Sequence, residues 1–171
     1  MRKLFLLATL LSVSLVSAQA YKGKDDNKFQ VGLNLQENGT GINVSYDYGI
    51  GENISIGLSS TYLLSVDEGL KNNQIEDLNA TFGDRFDVRA RFNANLGNVI
   101  NIDENFDLYP GLSLGLKNFG GHLGARYFFT DGFGVYTEFN VPFAKYNADT
   151  LTTAETLNNQ FSVNIGASFN L

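Results

Sequence analysis

From Phe29 onward, apolar and polar residues alternate one for one through eight stretches. Phe29, Val31, Leu33 and Leu35 alternate with Gln30, Gly32, Asn34 and Gln36, and Ile42, Val44, Tyr46 and Tyr48 alternate with Asn43, Ser45 and Asp47. The third stretch sets Ile54, Ile56, Leu58, Tyr62 and Leu64 against Ser55, Gly57, Ser59 and Thr61, with Ser60 the one defect in its apolar series. The fourth is the sharpest: Phe86, Val88, Ala90, Phe92, Ala94 and Leu96 against Arg85, Asp87, Arg89, Arg91, Asn93 and Asn95. The fifth, carrying Leu108, Leu112, Leu114 and Leu116, contains Pro110, which a strand tolerates only at an edge, a bulge or near an end. The sixth runs over Leu123, Ala125, Tyr127 and Phe129, the seventh over Phe133, Val135, Thr137, Phe139, Val141 and Phe143, and the eighth over Phe161, Val163, Ile165, Ala167, Phe169 and Leu171. A period of two is the spacing of a strand whose two faces meet different surroundings.

Eight such strands joined as consecutive hairpins predict an all-β, eight-stranded antiparallel up-and-down barrel. An even count returns both chain ends to one side. Connections one, three, five and seven (Glu37–Thr40, Ser65–Gly83, Asn118–Gly120 and Lys145–Leu157) then share the opposite side and include the two longest irregular segments. The other three, Gly49–Asn53, Gly97–Asn105 and Thr130–Gly132, are tighter turns.

Alternation alone leaves two barrels open. A soluble, lipocalin-like barrel turns its apolar face inward around a ligand, and a transmembrane barrel turns it outward to lipid. The polar face favours the second, because it consists mainly of Gly, Asn, Ser and Gln rather than the Lys, Glu and Thr of a water-facing strand. Tyr46, Tyr48, Tyr62, Tyr127, Phe129, Phe133, Phe143 and Phe169 lie towards strand ends, where membrane-interface girdles sit, and simple β-propensity explains part of that placement.

The chain ends bear on the same choice. MRKLFLLATLLSVSLVSAQA has a basic start, an apolar run and small residues before Tyr21, so residues 1–20 read as a secretory signal peptide cleaved after Ala18 or Ala20, leaving one domain over 21–171. Nothing after it approaches the length of apolar sequence a spanning helix needs, so entry into a membrane requires a closed barrel. The last residues, NIGASFNL, resemble the terminal signal by which outer-membrane β-barrels are recognised for assembly, with Asn164, Gly166, Phe169 and Leu171 at its specified positions.

Together with the GIGENISIG and YFFTDGFGVYTE hairpins, these features resemble the small uncharacterised outer-membrane β-barrel proteins of Gram-negative bacteria, of the architecture of the OmpA and OmpX barrels. The resemblance implies the cell outer membrane as location. Its lipids and, through the C-terminal strand, the barrel-assembly machinery are the implied partners of a monomer, with an extracellular ligand or protein at loops 65–83 and 145–157 a further candidate.

Candidate chemistry is sparse. There is no cysteine, which removes disulfides and thiolate metal sites, and a formal charge of −6 argues against nucleic acid as a partner. His122 is the single histidine and falls on the polar face, so no catalytic or metal constellation is expected, and no cofactor. The Gly pairs lie in hairpin connections rather than between a strand and a helix, which excludes a phosphate loop.

The polar face does carry a charged constellation: Arg85, Arg89, Arg91, Lys117 and Arg126 against Asp47, Asp87, Asp107 and Glu138. An eight-stranded barrel is just wide enough to be filled by side chains, and a buried charge without a partner is costly. A lumen plugged by ion pairs is expected, with Arg126 and Glu138 paired at its centre across the turn Thr130–Gly132. Residue sums of 262 or 264 are the two registers that leave them within reach. Two functions follow as alternatives: a structural or surface-interaction protein of the outer membrane, or a small porin-like channel or transporter.

Overall fold

A computed structural model describes residues 19–71, 79–146 and 151–171. Eight strands form a closed barrel in chain order, each antiparallel to its neighbours: β1 (Asn27–Gln36), β2 (Gly39–Gly49), β3 (Ile54–Val66), β4 (Phe86–Ala94), β5 (Phe106–Gly115), β6 (Asn118–Thr130), β7 (Phe133–Lys145) and β8 (Ser162–Asn170). The closing ladder joins β1 to β8, from Lys28 opposite Asn170 to Gln36 opposite Ser162. Two four-residue helices, α1 (Phe82–Arg85) and α2 (Gly97–Ile100), lie in connections. Thr81 and Asp84 cap α1 reciprocally, each side chain taking the other's backbone N–H. Most of the expected signal peptide, residues 1–18, lies outside the described residues, as do 72–78 and 147–150 of the two long loops.

The alternation sorts the faces. Leu33, Leu58, Leu114, Phe139 and Ile165 are exposed on the outer wall, whereas Gln30, Asn43, Asp47, Ser55, Asn93, Asp107, Glu138 and Ser168 are buried in the lumen. This is the reverse of a soluble ligand barrel. Aromatic residues band the outer wall at both ends. Near the chain termini, rings follow one another from Phe29 to Phe169 (6.3 Å), Phe133 (5.7 Å), Phe129 (6.3 Å) and Tyr127 (5.5 Å from Phe129). At the other end Tyr62 meets Phe82, Phe119 meets Phe143, and Phe139 stacks on Phe161.

Three local features depart from the sequence expectation. Connection five is Leu116–Lys117 rather than Asn118–Gly120, because Gly120 and Gly121 continue the ladder opposite Ser113 and Leu112. Arg85 ends α1 instead of starting β4. In β3 a bulge makes Leu64 an extra residue: Gly41 faces Leu63 but Thr40 faces Ser65. Leu63 and Val66 therefore both turn inward, which strict alternation forbids. Pro110 sits opposite Leu123 on one side, and on the other the β4 ladder begins only at Gly111, so the missing N–H falls at a ladder end.

Candidate functional site

The interior is stacked in layers. At mid-barrel, Arg91 from β4 reaches Asp47 on β2 (Nε to Oδ1, 3.1 Å) and Glu138 on β7 (Nη2 to Oε2, 2.6 Å), all three almost fully buried. Glu138 also accepts from Asn164 Nδ2 (3.2 Å), and Asn164 Oδ1 in turn accepts from Asn34 Nδ2 (2.7 Å). His122 Nε2 lies 2.7 Å from Asn93 Oδ1, so it donates there and serves as a polar lumen residue.

One layer towards the chain termini, Arg126 binds Asp107 (Nη2 to Oδ2, 2.7 Å) and Asn95 Oδ1 (2.8 Å), while Asp107 Oδ1 accepts the N–H of Gly97 at the start of α2 (2.8 Å). The expected Arg126–Glu138 pair does not form. The register has the sum of 262, so Arg126 faces Tyr136 and Glu138 faces Gly124. Each charge finds a partner in another direction, Asp107 standing directly opposite Arg126 on the β5 side.

Between the two arginines lies Tyr109, fully buried, its ring centroid 4.7 Å from Arg126 Cζ and 5.9 Å from Arg91 Cζ. An aromatic ring attracts a guanidinium, so contact of both arginines with Tyr109 offsets part of the repulsion between two like charges. Glycine makes the room. A Cβ on Gly124, opposite Tyr109, would lie 2.0 Å from the ring's Cζ, and one on Gly32 would lie 2.9 Å from the Tyr136 hydroxyl.

The terminal-side mouth is closed by residues 19–26. Tyr21 is 2 % exposed and its hydroxyl donates to the carbonyl of Ile54 (2.7 Å), with Gly51 O at 3.1 Å. Burial, then the Asp26 carboxylate, pushes its phenol from 10.0 up to about 12. The Ala20 N–H donates to Glu104 O (2.8 Å), Asn98 Nδ2 to Tyr21 O (3.2 Å), and Asp26 pairs with the buried Lys28.

The opposite mouth is closed by residues 151–161. Leu63 and Val66 pack with Leu70, Ala154 and Leu157 into an apolar cap. Beneath it Asn158, held at φ 61°, donates its N–H to Gln36 Oε1 (2.8 Å) and its amide to the carbonyls of Asp84 (3.2 Å) and Arg85 (3.0 Å). Arg89 pairs with Asp87 (2.5 Å) and donates to Asn158 O (2.6 Å). The cavity enclosed here by Asn34, Asn43, Asn140, Asn164 and their neighbours holds about 10 Å³, room for about one water.

Seven of the nine expected network residues form ion pairs: Asp47, Asp87, Arg89, Arg91, Asp107, Arg126 and Glu138. The other two act differently. Arg85 donates to Leu64 O (2.8 Å) and lies over the Tyr62 ring on the outer wall, and Lys117 donates to the carbonyls of Asp84 (2.5 Å) and Leu157 (3.0 Å). Burial holds the Lys117 ammonium below its ordinary value. Sequence reasoning missed Lys28, Tyr21 and Tyr109. Of these, Tyr109 and Lys28 sit on the polar parity of their strands, which is the signal that could have found them. Of the terminal motif, Asn164 points into the lumen, Gly166 faces Tyr136 on one side and Gly32 on the other, Phe169 joins the outer aromatic band, and Leu171 donates its N–H to Asn27 O (3.1 Å).

The family model for a family of unknown function, DUF6646, matches residues 11–171. The chain belongs to this family. No curated protein matches the sequence. Among solved structures, the chain is similar to a de novo designed transmembrane β-barrel, with a TM-score of 0.57 at 9 % identity, over 88 % of this chain and 98 % of the design. At that identity the likeness concerns the fold: a small closed barrel with its apolar face outward.

Proposed function

We propose that this DUF6646 protein is an outer-membrane β-barrel of the Gram-negative envelope, exported by a signal peptide over residues 1–20, with a structural or surface-interaction role rather than conduction. The observation that carries this reading is the filled lumen. Arg91 bridges two carboxylates across the bore, Tyr109 fills the space to the next arginine, and both mouths are covered by the chain itself. The outward apolar wall with aromatic bands at both ends supports the membrane setting.

In this orientation the chain termini and the turns at 50–53, 95–105 and 131–132 are periplasmic, and loops 65–83 and 145–157 meet the outside and any partner there. The barrel works as a monomer, and its last strand, with Asn164, Gly166, Phe169 and Leu171, is what the assembly machinery reads. Removing Phe169–Leu171 tests this. The truncated protein should be secreted but fail to fold into the outer membrane, and undiminished yield there with heat-modifiable migration would contradict the assignment.

A further inference from the structure

The outer wall carries an indentation between β5 and β8. Ala125 on β6 and Thr137 on β7 are directly paired and form its floor, extended by Ala167 on β8, so that three small outward residues stand together on adjacent strands. Phe106, Tyr127, Val135 and Ile165 rise around them to enclose about 720 Å³. The groove crosses from β5 to β8, three inter-strand spacings or about 14 Å. Arg126 and Tyr136 border it only by their backbone, since their side chains are buried in the lumen.

Its depth follows from the aromatic band at the same end. Tyr127 belongs both to the groove wall and to the run of rings through Phe129, Phe133 and Phe169. The groove therefore lies just inside that interface, in the half of the wall nearest the chain termini. The three turns of this end, 50–53, 95–105 and 131–132, contain Glu52, Asp103, Glu104 and Asp131 and neither Lys nor Arg; the exposed cations of this end, Lys22 and Lys24, stand on the segment that crosses the mouth. Asp103 and Glu104 lie three and two residues before Phe106, and Asp131 lies two residues after Phe129; all three acids are exposed. A multiply phosphorylated lipid is repelled there, and a headgroup ending in an ammonium is attracted.

We propose that this groove is a binding site for one zwitterionic glycerophospholipid of the periplasmic leaflet, an acyl chain lying over Ala125 and Thr137 and its ammonium group facing Asp103, Glu104 and Asp131. The inference rests on the outer-membrane reading above. A second copy of the chain is the rival occupant.

The test uses the full barrel folded into vesicles of equal phosphatidylethanolamine and phosphatidylglycerol, with and without lipopolysaccharide, then released into mild detergent for native mass spectrometry. Heat-modifiable migration first establishes insertion. Failure to insert removes the membrane reading and this site with it, whereas insertion without a retained lipid overturns the site alone. The expected result is one phosphatidylethanolamine per monomer. Retention should fall about tenfold in Ala125→Phe and in Ala167→Phe, which fill the groove, and persist in Leu58→Phe on the outward face of β3. Asp103→Asn with Glu104→Gln and Asp131→Asn should abolish the preference over phosphatidylglycerol. Equal retention by the filled variants, a preference for lipopolysaccharide, or a dimer in place of the lipid adduct would each overturn the proposal.

Discussion

Arg91, rather than Arg126, is the cation on which Glu138 depends, and this changes what substitutions should do. Arg91→Met strands Asp47 and Glu138 together and should destabilise the barrel by roughly 3–5 kcal/mol if the site is dry, less if water enters, whereas Glu138→Gln leaves Arg91 paired with Asp47 and should cost less. Adding Glu138→Gln to Arg91→Met should recover part of the loss, because one carboxylate rather than two is then left stranded. Arg126→Met should instead add its own cost, since Arg126 serves Asp107. Denaturant unfolding of the three single and two double variants measures both couplings, and a strong coupling of 138 to 126 would contradict the assignment. Gly124 carries a second residue-level expectation. Gly124→Ala drives a methyl into the Tyr109 ring and should cost about 1–3 kcal/mol by overpacking, measurable in the same unfolding assay.

At the scale of elements, the strands and their faces were legible in the sequence because a period of two repeats over enough residues to tolerate single defects such as Ser60. Registers were half legible. Parity restricted the β6–β7 sum to even values but could not choose 262 over 264, a choice made by the bulge at Phe129: Thr130 faces Phe133 across the turn, and Phe128 faces Gly134. The β3 bulge was not legible, since Leu63, Leu64 and Val66 look alike and only the β2 ladder decides which is extra. Nor was the ordering of the polar lead: Tyr21 and Ala20 acquire their role from acceptors on distant turns, Ile54 and Glu104.

Two expectations belong to these elements. Ala90 faces outward beside inward Arg91, so Ala90→Arg should cost about 2–4 kcal/mol if it lies near the bilayer midplane, and unfolding from vesicles measures it. The segment over the terminal-side mouth should release in alkali. Tyr21 keeps its phenol neutral in the fold, so its contribution is complete below pH 10, its ordinary value, and is lost as pH rises towards about 12. Protease access to residues 21–26 should rise through that window and stay flat in Tyr21→Phe, which cannot ionise; identical profiles would contradict the link.

Taken whole, the molecule is a barrel whose bore is occupied from end to end by its own side chains and by the two segments that fold over its mouths. Four cations, Lys28, Arg89, Arg91 and Arg126, meet five carboxylates, Asp26, Asp47, Asp87, Asp107 and Glu138, in direct ion pairs among the described residues. Cross-strand links of this kind tie β2, β4 and β7 through one guanidinium, so the lumen and the wall should unfold as one unit. Such an interior suits an anchor that presents loops, and it opposes passage of ions unless a mouth opens. The most direct test is single-channel recording of the purified, folded protein in planar bilayers. The account predicts insertion, verified by heat-modifiable migration, with no resolvable unitary current at neutral pH. A steady current whose ion selectivity changes with Arg91→Ala would contradict it and make the same residues the lining of a pore.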